Sequence, residues 1–138
     1  MRSLKTTRKI KGFDVDNGSG TNTNAGYKQG KPIVAVDFDG TLVKNRYPFC
    51  ENPNMRLINF ILDHKDEYIW ILFTCRHNEQ LAMAKKYLWD EFGLEFDYVN
   101  ENVPWLIEEY GDSRKIFADY YIDDKSANIK EGKVMLID

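Results

Sequence analysis

Asp37-Phe38-Asp39-Gly40-Thr41 sets two carboxylates two residues apart, then a residue with no side chain, then a hydroxyl. Paired hard oxygens beside a backbone that a ligand can approach closely suit a divalent cation and a phosphate group together. Further along the chain, Thr74-Cys75-Arg76 offers a hydroxyl and a cation, and Asp123-Asp124 offers two more carboxylates. Lys115 stands between these groups, with Arg114 and Lys125 as rival cations.

These groups share one context: each set follows a continuous apolar run. Ile33-Val34-Ala35-Val36, preceded by Gly30 and Pro32, leads into Asp37. Tyr68 to Phe73 leads into Thr74, and Asp119-Tyr120-Tyr121-Ile122 leads into Asp123. Runs without polar alternation are strands covered on both faces, as in a parallel sheet. Parallel strands gather their carboxyl ends at one rim, where ligands of such sheets bind. The sequence therefore predicts that Asp37, Asp39, Thr74, Asp123 and Asp124 meet at that rim.

The motif D-x-D-G-T, the Thr74-Cys75-Arg76 triplet and Ile122-Asp123-Asp124 occur in the order found in the haloacid dehalogenase superfamily of phosphatases. From residue 31 onward the chain resembles the small, capless members of that group. The resemblance implies a Mg²⁺-dependent phosphomonoester hydrolase. Asp37 would be the nucleophile that takes the phosphoryl group, and Asp39 the acid and then the base. That double role calls for surroundings that raise the pKa of Asp39 while Asp37 stays ionised on the metal. Thr74 and Lys115 would hold the phosphate oxygens. Asp37, Asp39 through its carbonyl, and Asp123 would ligate the metal, with Asp124 orienting a metal water or pairing with Lys115. Gly40, Thr41, Cys75 and Arg76 complete the implied substrate-binding set, although Arg76 could equally cap a helix and the Cys75 thiol reads as a packing group. Small phosphorylated compounds, nucleotides among them, are the implied substrates. A nucleic-acid end phosphatase and a phosphate-binding regulatory module without turnover are the alternatives.

Between the strands lie helix signals. Asn52-Pro53 opens a segment with Met55, Ile58, Ile61 and Leu62 at helical spacing, Asn to cap and Pro to fill the first turn. Asn78 begins a second, with Leu81, Ala84, Leu88 and Phe92 on one face and Gly93 past its end. Pro104 to Tyr110, closed by Gly111, gives a short third. Phe96 to Val99 and Val134 to Ile137 read as further strands. The alternation predicts an α/β protein: a three-layer α/β/α sandwich on a mainly parallel, Rossmann-like sheet. Only Leu42 to Glu51 separates the first motif from the first helix, which leaves room for a flap and none for a cap domain.

Length and charge limit what surrounds this domain. The chain has 138 residues, 43% of them hydrophobic, one domain's worth. Residues 1–30 are read as a disordered leader, basic and then rich in Gly and Asn, and residues 31–138 as the catalytic domain. Residues 1–31 carry a net +5 and the remainder −8. An acidic body repels phosphate, so its phosphate site needs a bound cation. The leader could dock on nucleic acid or serve as a solvated linker. Two cysteines give no disulfide framework, and no apolar stretch approaches a membrane span. A cytoplasmic protein is the expectation.

Overall fold

The computed structural model describes residues 30–125 together with two strands near the carboxyl terminus. The leader, with its expected disorder and its nucleic-acid reading, lies outside the described residues. Four parallel strands form the sheet: β1 (Ile33–Val36), β2 (Ile69–Leu72), β3 (Tyr98–Val99) and β4 (Tyr120–Ile122). Their order is β3-β2-β1-β4, so the strand carrying D-x-D-G-T is central. Ile33 pairs with Ile69 and Val36 with Leu72, while Val36 also pairs with Ile122. In this register Asp37 leaves the sheet level with the residues that follow β2 and β4.

Alternation splits the strand residues between two cores. Val34, Val36, Trp70, Leu72 and Ile122 face one side, against Leu57, Ile58 and Ile61 of α1 (Met55–Asp63) and Ala84 and Leu88 of α2 (Asn78–Phe92). Ile33, Ala35, Ile69 and Ile71 face the other, against Leu106 of α3 (Pro104–Tyr110) with Val103 and Ile116. Each large apolar side chain so buried stabilises the fold by about 1.5–3 kcal/mol. The sandwich expected from the sequence is the one observed. No inserted domain interrupts it among the described residues, and no helix there is long and apolar enough to cross a membrane.

Several local expectations need correction. The first helix starts at Met55, later than Asn52-Pro53 suggested, because Asn54 is the cap: its Oδ1 accepts from the Leu57 N–H at 3.2 Å. Asn52 instead takes a left-handed turn, φ 53°. Met55 is exposed, so the apolar stripe of α1 is Leu57, Ile58 and Ile61. α2 and α3 have the expected bounds, and Gly93 closes α2 at φ 67°. The last strand does not extend the parallel sheet. β5 (Ala127–Lys130) and β6 (Lys133–Leu136) pair antiparallel as a separate hairpin. With so short a connection, antiparallel pairing is the available geometry, since a parallel return needs a long crossover. Trp70 is fully buried, and Trp89, on α2, is largely exposed.

Two aspartates fasten the strand starts. The Asp119 carboxylate accepts from the Ile33 N–H at 2.7 Å, and its own N–H donates to the Ile33 carbonyl at 2.7 Å. Asp97 does the same for Trp70, at 2.8 and 2.9 Å. Burial raises the pKa of Asp119.

Candidate active site

The chain leaves β1 through a tight turn built on one carbonyl. The N–H groups of Thr41, Leu42 and Val43 all donate to the Phe38 oxygen, at 3.2, 2.9 and 3.2 Å. Gly40 sits inside this turn at φ 90°, a conformation that side chains resist. A Cβ added there would stand 2.8 Å from Cγ of Asp124 and closer still to its Oδ2. Gly40 is thus required twice, by the turn and by the acid packed against it. Gly40→Ala is expected to lower stability by about 1–3 kcal/mol through backbone strain and to push Asp124 out of place. Thermal denaturation beside wild type checks this; an unchanged melting temperature would contradict it.

The opposing strand ends complete an acidic cluster. One carboxylate oxygen each from Asp37, Asp123 and Asp124 lie within 4.8 Å of one another. Thr41, buried, donates its hydroxyl to Asp37 Oδ2 at 3.3 Å, so it positions Asp37 where the sequence reading gave it to substrate. Burial, and then repulsion from Asp123 and Asp124, raise the pKa of Asp37 from 3.8 to about 6. In the protein without metal the surroundings thus act against ionisation of Asp37, the group the sequence reading has ionised on the metal. Carboxylates in mutual repulsion are a fitting donor set for a hard cation, which would relieve it.

Asp39 turns the other way. Its carboxylate, outside that cluster, is held bidentately by Arg76: Nε to Oδ2 and Nη2 to Oδ1, both 2.8 Å. Arg76 is 3% exposed and turned in to Asp39, where the sequence reading offered it to a substrate phosphate or a helix end. The Asp39 side chain therefore joins the site through Arg76 and not through the cluster.

Thr74 stands at the end of β2, half-buried. Its N–H donates to Asn100 Oδ1 at 2.8 Å, and its hydroxyl accepts from the Arg76 N–H at 3.1 Å. Asn100, φ 53°, was missed by sequence reasoning. Asn102 was missed too. Buried after β3, it donates to the Ser113 and Lys115 carbonyls at 3.4 and 3.2 Å and accepts from the Phe117 N–H at 2.7 Å, so it shapes the loop that carries Lys115. Lys115 itself is exposed, with Nζ 6.0 Å from the centre of the Tyr121 ring. The ion pair of Asp124 is with Lys125, at 3.8 Å, and not with Lys115 as one reading had it. Cys75 is exposed, against the packing role given to its thiol.

One comparison with solved structures bears on this chain. A conserved protein from Bacteroides thetaiotaomicron is 35% identical to it, with a TM-score of 0.61, over 70% of this chain and 78% of that one. The two belong to one family. Shared identity at that level carries the α/β architecture, and nothing in the description of that protein names an activity. No family model and no curated protein matches the chain.

Proposed function

We propose that this protein is a Mg²⁺-dependent phosphomonoester hydrolase working through a phosphoryl group carried on Asp37. The observation that carries the reading is the meeting of Asp37, Asp123 and Asp124 around a turn that only glycine fits. The likeness of the three motifs to those of the haloacid dehalogenase superfamily supports it. Asp37, Asp123 and Asp124 would hold the cation. When bound, Mg²⁺ supplies the positive charge that lets an acidic rim accept a phosphate.

In the first step an Asp37 oxygen bonds to phosphorus as the ester P–O bond breaks, and Asp39 gives its proton to the leaving oxygen. In the second, water attacks phosphorus, its proton passes to Asp39, and inorganic phosphate leaves Asp37 restored. Thr41 fixes the rotamer of Asp37 in both steps. Thr74 and Lys115 supply donors to the phosphoryl oxygens as charge shifts.

Nucleotides stay among the substrates for a specific reason. Phe73 follows β2 on the face of the sheet that Asp37 shares, and its ring lies 6.4 Å from that of Tyr121 across β1. Both rings are exposed, a surface on which a base can stack. The reading as a phosphate-binding module without turnover also has one observation in its favour, the engagement of Asp39 by Arg76.

A panel of phosphomonoesters, nucleoside monophosphates included, separates these readings. Turnover with Mg²⁺ that EDTA removes is the expected result; binding of inorganic phosphate without turnover favours the module. Cation affinity carries a further signature. Binding must displace the proton from Asp37, so calorimetric Mg²⁺ affinity is expected to fall about tenfold per pH unit below about 6. Affinity flat across that range would contradict the assignment of Asp37 as a ligand.

A further inference from the structure

Arg76 is the most thoroughly bonded side chain at this rim. Besides its two bonds to Asp39, Nη1 reaches the Gln80 carbonyl at 3.2 Å and the Cys50 sulfur at 3.7 Å, and Nη2 reaches the Phe49 carbonyl at 3.4 Å. A guanidinium has five N–H donors, and these contacts occupy them all. Its Cζ lies over two rings, 4.8 Å from the centre of Phe38 and 4.9 Å from that of Tyr47. No donor is left for a phosphate oxygen.

The partners fall into two groups. Asp39, Phe38 and Gln80 belong to the motif turn and α2. Tyr47, Phe49 and Cys50 belong to the flap, residues 44–51, which is closed at its base by the Lys44 N–H donating to the Glu51 and Asn52 carbonyls at 3.3 and 3.2 Å. Tyr47 and Phe49 are 55% and 57% exposed, so the flap rests on little apolar packing of its own. Cys50 packs against the main core, and Arg76 is the buried polar link between the flap and the domain.

We infer that Arg76 is a positioning residue that sets the Asp39 carboxyl group and couples its placement to the flap. The inference rests on the reading of Asp39 as acid and base. A flap that lifts takes from Arg76 one ring and two acceptors, and the fork that aims Asp39 then loosens. A flap that closes over a bound ester restores the fork with the leaving oxygen in place. Lysine cannot substitute, because its single ammonium lacks the bidentate geometry.

The test uses the full chain with Mg²⁺ and p-nitrophenyl phosphate, whose leaving group needs no proton. For Arg76→Lys, the first turnover is expected to survive as a burst of nitrophenolate. Steady-state turnover, which needs Asp39 as base, should drop by about 10²-fold, the scale of a misplaced catalytic group, and KM should fall with it, because slowing the second step alone leaves kcat/KM unchanged. Tyr47→Ala should lower the same step less, and the double variant should be no slower than Arg76→Lys alone. A raised KM with intact turnover would make Arg76 a phosphate ligand. Multiplying losses in the double variant would sever the flap from Arg76. A wild type without Mg²⁺-dependent turnover would instead refute the phosphatase reading, and amide exchange then decides the coupling by itself. Arg76→Lys should speed exchange in residues 44–51 while α1 stays protected; unchanged flap exchange would overturn the inference.

Discussion

Asp37→Asn is expected to reduce turnover by on the order of 10⁴-fold or more, the scale of losing a covalent nucleophile, while the metal-free protein becomes more stable at neutral pH. The sign follows from the raised pKa. Asp37 titrates at about 6 in the fold and at 3.8 as a free group. Its protonated form is the one the fold favours, so its stabilising contribution is complete below 3.8 and is lost as pH rises through about 6. At neutral pH the ionised group opposes folding, and asparagine removes that opposition. In EDTA the variant should therefore melt above wild type at neutral pH, and the difference should close near pH 4. Saturating Mg²⁺ should reverse the order, since a ligand at a hundred times its Kd stabilises by about 2.7 kcal/mol. Thermal scans at two pH values, with and without Mg²⁺, check each part. A variant less stable than wild type in EDTA at neutral pH would contradict the repulsion described for the cluster.

Asp39→Asn is expected to slow turnover by a factor on the order of 10²–10⁴, as loss of an acid and base does, and to destabilise where Asp37→Asn stabilises. Arg76 keeps its charge with a side chain 1% exposed, and an amide offers that fork one acceptor in place of two. A fully buried pair broken on one side costs about 3–5 kcal/mol. Asp39 retains some contact with water, so about 1–3 kcal/mol is the expectation here. The kinetic loss in the first step should be larger for alkyl phosphates than for p-nitrophenyl phosphate. Single-turnover rates on the two esters test this. Equal losses would mean that Asp39 serves structure and not proton transfer.

The two variants mark where the sequence was legible. β-branched runs without polar alternation identify buried strands, and the residues closing those strands had to meet at one rim. That reasoning reached Asp37, Asp123 and Asp124 because it needs only strand ends and register. It did not reach the orientation of Arg76, which lies four residues past the end of β2 where backbone direction is set by the loop. A cation there looks the same in sequence whether it turns out to a phosphate or in to Asp39. Asn100 and Asn102 were invisible for a related reason. Each works through side-chain bonds to a loop distant in sequence, and an asparagine in a polar stretch carries no periodic signal. The last strand was misplaced because a short apolar run does not state its partner, and Ala127–Lys130, which pairs with it, carries no apolar run to announce a strand.

The phosphoryl group itself is the most direct evidence to seek. Wild type mixed with Mg²⁺ and a substrate found in the phosphomonoester panel, then quenched in acid during turnover, should gain the mass of one phosphoryl group. Peptide mapping should place it on Asp37, as an acyl phosphate labile to hydroxylamine, with no such mass in Asp37→Asn. A phosphoryl group on any other residue, or steady turnover with none trapped even in Asp39→Asn, where slow hydrolysis of the acyl phosphate should let it accumulate, would contradict Asp37 as the nucleophile.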